Sequence, residues 1–207
     1  GALFQYGYFQ FGVPAFSTPG WGAPAISDLS GDAAILAALD SLGVDAFSDW
    51  TPFQHPELGE VEIGGFLPYA TSNPPTEAVT DLGEKHGEFL VKLAGMLPKV
   101  RIAEAEVEAH GGGVFTVTAA AENLGFFPTS TQHGVRSRSV GPTFFQIQVD
   151  PDAILTGADK TESLGVLNGS GGREEVTWVI QGREGETVEI KLLSEKAGQD
   201  TRTVTLR

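Results

Sequence analysis

Apolar and polar positions divide the chain into two regions with different periods. Up to Pro98 the apolar residues fall in continuous runs or recur every three or four positions, and beyond it they alternate. The run LFQYGYFQFGVPAF, from Leu3 to Phe16, is apolar or aromatic at most positions and has no charge. An unbroken apolar run of this kind predicts a strand buried on both faces. The segment STPGWGAP then breaks it. DAAILAALDSL, from Asp32 to Leu42, predicts a short helix with Ile35, Leu39 and Leu42 on one side and Gly43 as its stop. Asn73-Pro74-Pro75 opens a longer helix, because proline is tolerated in the first turn. Val79, Leu82, His86, Phe89, Leu93 and Met96 recur at helical spacing, which predicts an amphipathic helix of about 20 residues ending at Pro98.

The second region reads as strand, turn, strand. RIAEAEVEA sets Ile102, Ala103, Ala105 and Val107 against Glu104, Glu106 and Glu108. Gly111 to Gly113 make a turn, VFTVTAAAEN follows, and a long loop runs from Leu124 to Gly141. TFFQIQV, EEVTWVIQG, ETVEIKLLS and TRTVTLR are further strands, with weaker ones at DPDAIL and ESLGVL. Short alternating strands separated by Gly, Pro and Asp turns predict an antiparallel β-sandwich over residues 99–207. Val114, Val117, Phe145, Ile147, Val176, Trp178 and Ile190 are its expected inward residues, Trp178 plugging the centre. Without a cysteine pair the domain is Ig-like in architecture only.

Composition narrows the function classes. The 207 residues are 41% hydrophobic, enough for a substantial core. With 27 acidic and 13 basic residues the formal net charge is −14, and no basic run exists, so phosphate-neutralising nucleic-acid binding is not expected. The chain has no cysteine, hence no disulfide, thiolate metal site or cysteine nucleophile. That absence fits an exported protein, in an extracellular or periplasmic location. No apolar run reaches the roughly 18 residues of a membrane helix. An apolar start lacking methionine suggests a processed chain or part of a longer one.

The candidate chemistry concentrates in HPELGEVEIGGF, His55 to Phe66, where one histidine lies beside Glu57, Glu60 and Glu62 and a glycine pair. Such a mixture suits a metal or hydrolytic site. Equally, Glu60 and Glu62 are the outward residues of a short strand with Val61 and Ile63 inward. His86 on the apolar helical stripe reads as a buried, hydrogen-bonded histidine or as a ligand. Asn168-Gly169-Ser170 fits an N-glycosylation acceptor. The Asp150–Asp152 acidic turn lacks the further oxygens a calcium site needs.

Three stretches carry a resemblance to zinc metallocarboxypeptidases of the carboxypeptidase A-like family, the large bacterial members with a C-terminal β-sandwich above all. GALFQYGYFQFGVPAFSTPGW is similar to the family's late core strand. WTPFQHPELGEVEIGGFLPYATSNPP is similar to the segment closing the catalytic domain, and FLVKLAGMLPKV to the last helix and the junction with the sandwich. AENLGFFPT is similar to the Asn-x-Gly turn of sandwich domains in secreted hydrolases. The resemblance implies an α+β chain: a carboxypeptidase-like α/β remnant over residues 1–98, then the sandwich over 99–207. It also implies a parent in which zinc, held by a His-x-x-Glu pair and a later histidine, activates water for a glutamate base. The chain has no His-x-x-Glu, and no arginine precedes Arg101. The family's ligands lie upstream of the strand with which the chain begins, so no cofactor is expected here. Thr18-Pro19-Gly20 stands where the classical base would be, which leaves Glu62 as the candidate base, and only in a full-length parent.

These readings imply a non-catalytic C-terminal fragment of a secreted zinc carboxypeptidase-like protein with an accessory sandwich. The alternative is a structural subunit of an extracellular oligomer or filament, assembled through the apolar N-terminal strand. Either way residues 1–16 are expected to meet another copy or a missing upstream segment. Carbohydrate binding by the sandwich is a weaker third reading, because Trp21, Trp50 and Trp178 are too scattered for a stacking face.

Overall fold

The computed structural model describes residues 2–22 and 30–207. The end of the expected STPGWGAP break, Ala23 and Pro24, lies outside the described residues. The chain forms two compact units, one joining Gly1–Ser17 to Lys92–Arg207 and the other comprising Thr18–Val91.

In the smaller unit, α2 (Gly31–Ser41) buries Ala38 and Leu39, and Ala46 is buried just beyond it. Two antiparallel strands, β1 (Phe47–His55) and β2 (Gly59–Phe66), form a hairpin. Its glycine pair has a steric reason. The register of β1 slips between Ser48 and Thr51, and a Cβ on Gly64 would stand 2.8 Å from Trp50 Cα. Gly65 has a φ of +108°, in the region that favours glycine. The long helix α3 (Thr76–Gly95) starts directly after Pro75, as the proline pair predicts.

The larger unit is built on an antiparallel β-sandwich. Its first sheet has the order β3-β4-β8-β6 and contains β3 (Val100–Gly111), β4 (Val114–Asn123), β6 (Ile154–Gly157) and β8 (Gly172–Gln181). The second has the order β10-β9-β5-β7 and contains β5 (Thr143–Ile147), β7 (Thr161–Gly165), β9 (Thr187–Ser194) and β10 (Gly198–Thr205). One core joins both inner faces, with Ile102, Phe115, Val117 and Ile180 from the first sheet and Phe145, Ile147, Ile190 and Leu192 from the second. Trp178 is fully buried at its centre. It meets the Phe145 ring edge-on at 6.0 Å and donates from Nε1 to the Asp159 carbonyl at 2.8 Å. Alternation is the physical basis of this match between pattern and core, because successive side chains of a strand face opposite ways. Two expected details differ. Phe115 rather than Val114 opens the inward row of β4, since Val117, Ala119 and Ala121 share its parity. In β3 the consecutive apolar pair Ile102-Ala103 marks a bulge, where the register with β4 slips between Ile102 and Glu104. The bulge is tied to the opposite sheet by Asp200, whose Oδ2 accepts from Ile102 N at 2.8 Å, and by Arg202, which donates to Ile102 O at 3.1 Å.

The N-terminal run is not a strand. Leu3–Phe11 is a helix, α1, with no buried residue. A continuous apolar run has no period of its own, so its ends decide the outcome. Gln5 Oε1 accepts from Ala2 N at 3.0 Å at the start, and Gly12, with φ +64°, ends the helix by donating to the Tyr8 carbonyl at 3.1 Å. Backbone contacts hold α1 on the short helix α4 (Gln132–Ser137). Thr131 Oγ1 donates to Gly12 O at 2.7 Å, and His133 Nε2 donates to Phe9 O at 3.0 Å. The His133 ring stacks on Tyr8 at 5.3 Å. A Cβ on Gly12 would fall 2.4 Å from Gly134 Cα, so the two segments cross at a pair of glycines. Most of the large apolar side chains of α1 face outward, Leu3 with 84% of its surface exposed.

Candidate functional site

Glu62 lies on β2 opposite Pro52, exposed, with the side chain facing away from any core. His55 ends β1, and its Nδ1 accepts from the backbone amides of Glu57 and Leu58, both at 3.1 Å. Those two bonds close the hairpin turn, and the pairing of His55 with Gly59, φ +78°, completes it. The HPELGEVEIGGF segment is thus a capped hairpin in which the histidine does structural work. His86 is half-buried on α3, His110 Nε2 meets Thr116 Oγ1 at 2.7 Å, and His133 belongs to the α1 contact. The histidines therefore stand in separate settings. Among the described residues no group of three or more His, Asp or Glu side chains is placed to hold a metal ion. Among the described residues, those present do not fit a zinc site.

The structure instead draws attention to the loop after β4. Asn123 ends that strand fully buried and serves five backbone groups. Its Oδ1 accepts from Lys99 N at 3.1 Å and Gly125 N at 3.0 Å. Its Nδ2 faces the carbonyls of Phe127 at 2.9 Å, Asn168 at 3.1 Å and Leu167 at 3.4 Å. The end of α3 joins the same knot, since Met96 O accepts from both Phe126 N and Phe127 N. A Cβ on Gly125 would stand 2.1 Å from Leu97 O, and one on Gly169 would stand 1.8 Å from Phe126 O. Only glycine permits these close approaches.

Beside this knot lies an apolar cavity of about 330 Å³. Its walls come from four parts of the larger unit: the segment from Gly12 to Phe16, the end of α3 with the turn after it, residues 127–130, and Lys196. Phe16 and Phe127 face each other at 5.6 Å, and Pro14, Pro98 and Pro128 stiffen the wall. Lys196, from the turn between β9 and β10, is the one ionisable lining residue. Its Nζ lies 2.7 Å from Glu195 Oε1. The other oxygen of Glu195 accepts from Gly141 N at 2.9 Å. The Gly141 amide first, and Lys196 second, hold the Glu195 carboxyl below the usual carboxylate range. Sequence reasoning missed this cavity. Phe16, Leu93 and Pro98 were each read from the sequence, but for other roles.

No described helix is long and apolar enough to cross a membrane. No curated protein matches the chain. Among solved structures, the GAE domain of GGA2p from Saccharomyces cerevisiae is similar with a TM-score of 0.31 and 16% identity, over 53% of this chain and 90% of that one. Residues 99–205 match the model of a domain of unknown function, DUF8731. That match spans the sandwich from β3 to β10 and just over half of the 207 residues, so the chain belongs to the DUF8731 family.

Proposed function

We propose that this chain is the non-catalytic C-terminal part of a secreted zinc carboxypeptidase-like protein, with the sandwich as an accessory domain. The observation that carries the reading is the apolar surface left open in the stretches similar to that family. Trp50 is 58% and Ile63 50% exposed on the β1–β2 hairpin, and α1 turns its aromatic side chains outward. Soluble chains rarely leave so much apolar surface uncovered, and a larger catalytic body would cover it. The dispersed histidines agree with a zinc site supplied elsewhere in such a parent. Two measurements test the reading. Zinc analysis after dialysis against the metal, with peptide substrates added, is expected to give well under one zinc per chain and no release of C-terminal residues. Close to one tightly held zinc with chelator-sensitive release would overturn the non-catalytic part. The intact mass of the natural polypeptide tests the parent, because a free species of these 207 residues alone would overturn it.

The exposed aromatic side chains of α1 favour a second reading, a subunit of an extracellular oligomer joined through residues 1–16. Light scattering separates the two: a concentration-dependent oligomer that dissociates when residues 1–16 are deleted supports assembly, and a monomer with and without them sinks it.

A further inference from the structure

We infer that the cavity beneath Phe16 and Phe127 is a binding site for a small aromatic carboxylate. Its volume of about 330 Å³ falls within the range of ligand pockets, roughly 300–1,000 Å³. An apolar void of about 150 Å³ already takes up benzene, so this one admits a ring with a short side chain. The tilted pair Phe16 and Phe127, with Leu93 and Leu97, offers a ring the aromatic and aliphatic contacts it prefers.

Charge sets the other end of the ligand. The chain has 27 acidic and 13 basic residues, yet the one ionisable residue lining this cavity is a lysine, Lys196. Lys196 is free to serve it. Its partner Glu195 is its neighbour in sequence, both side chains are partly in water, and such exposed pairs contribute little. Glu195 keeps the Gly141 amide if Lys196 turns to a ligand. The carbonyl end of α3 does not oppose the anion at full strength, because Leu93 O and Ala94 O already accept from Met96 N and Leu97 N. A single ammonium with no arginine beside it suits one carboxylate rather than a doubly charged phosphate.

The test is a titration of the full chain, methyl-labelled for NMR, with 3-phenylpropionate, its neutral analogue 3-phenylpropanol, and acetate. The expected result is a saturable shift of the Leu93 and Leu97 methyls with the acid binding about tenfold tighter than the alcohol, and no effect of acetate. Lys196→Gln is expected to bring the acid down to the affinity of the alcohol and to leave the alcohol unchanged. Ala94→Phe, at an exposed position on the wall, is expected to abolish both. If Ala94→Phe disturbs the fold, read from methyls remote from the cavity, Leu97→Phe replaces it. Equal affinity for acid and alcohol, an acid preference that survives Lys196→Gln, or binding that survives filling of the cavity would each overturn the inference. So would the absence of a saturable shift.

Discussion

Replacing Asn123 by alanine removes one side-chain amide and leaves groups from three segments without a partner. Gly125 is buried, so its N–H would lose Oδ1 with no water to replace it, at a cost of about 1–3 kcal/mol. Lys99 and Asn168 are exposed residues, so their N–H and C=O recover part of the loss from solvent. Counting about 0.5–1.5 kcal/mol for each bond that water partly restores, the expected cost is about 3–5 kcal/mol. That is a large share of the stability of an ordinary domain, about 5–15 kcal/mol. The assay is urea unfolding followed by indole emission in a Trp21→Phe, Trp50→Phe background, where Trp178 alone reports the sandwich core. A loss below about 1 kcal/mol with an unchanged denaturant slope would refute the argument, because it would mean that the amide bonds are replaceable. Asn123→Asp gives an independent check with a definite sign. It keeps an acceptor for Lys99 N and Gly125 N but sets a buried carboxylate against the carbonyls of Phe127 and Asn168. Burial and those carbonyls raise the folded pKa of the new carboxyl, so the variant gains stability relative to the parent as pH falls, and loses it as pH rises through that value.

Three further outcomes follow. Trp178→Ala is expected to cost about 3–5 kcal/mol in the same urea assay read by circular dichroism, and a cost under about 1 kcal/mol would mean that Trp178 is not the central plug. Gly134→Ala would set a Cβ 2.7 Å from Gly12 O, so α1 should detach while the sandwich midpoint barely moves; unchanged ring-current shifts of His133 against Tyr8 would contradict this. Glu195, held below the usual carboxylate range by the Gly141 amide and Lys196, contributes stability that is present at neutral pH and lost as pH falls through its lowered value. Glu195→Gln should therefore flatten the acid limb of the stability profile by less than about 1 kcal/mol, since the pair is exposed, and an unaltered limb would remove the effect.

The sandwich was legible because strand alternation is written locally. Phe145, Ile147, Val176, Trp178 and Ile190 were all expected inward from parity alone, and all are buried. The exception was not read, although the consecutive apolar residues Ile102 and Ala103 stand where the register of β3 slips. The hairpin was half legible. The strand around Val61 was read, but the turn at HPELGE was not, because residue types suited to a metal site are also types that cap turns, and only the bonds to His55 Nδ1 decide between them. Asn123 and the cavity were not legible, because each joins segments far apart in the chain. Asn123 reaches Asn168, and Phe16 reaches Phe127. Nothing in AENLG states how many carbonyls converge on its asparagine.

The N-terminal run shows the limit most sharply. Leu3 to Phe16 was expected as a strand because it is uncharged and aromatic, yet those properties measure burial demand, not conformation. The helix follows from Gly12, whose positive φ ends α1 and whose missing Cβ lets the backbone pass 134 closely enough to dock. Docking runs through the Gly12 and Phe9 carbonyls to Thr131 and His133 and through the Tyr8 and Phe9 rings against His133, which leaves Leu3, Tyr6 and Phe11 exposed. The demand for burial that the sequence expressed is therefore still unmet within α1, where Leu3 is 84% exposed and no residue is buried. Burying a large apolar side chain is worth about 1.5–3 kcal/mol, so several exposed ones in one short helix favour contact with another surface. That drive does not depend on whether the segment is strand or helix. The expectation of a partner for residues 1–16 thus outlives the loss of the strand, while edge-pairing as its mechanism does not, because a helix has no free edge to donate.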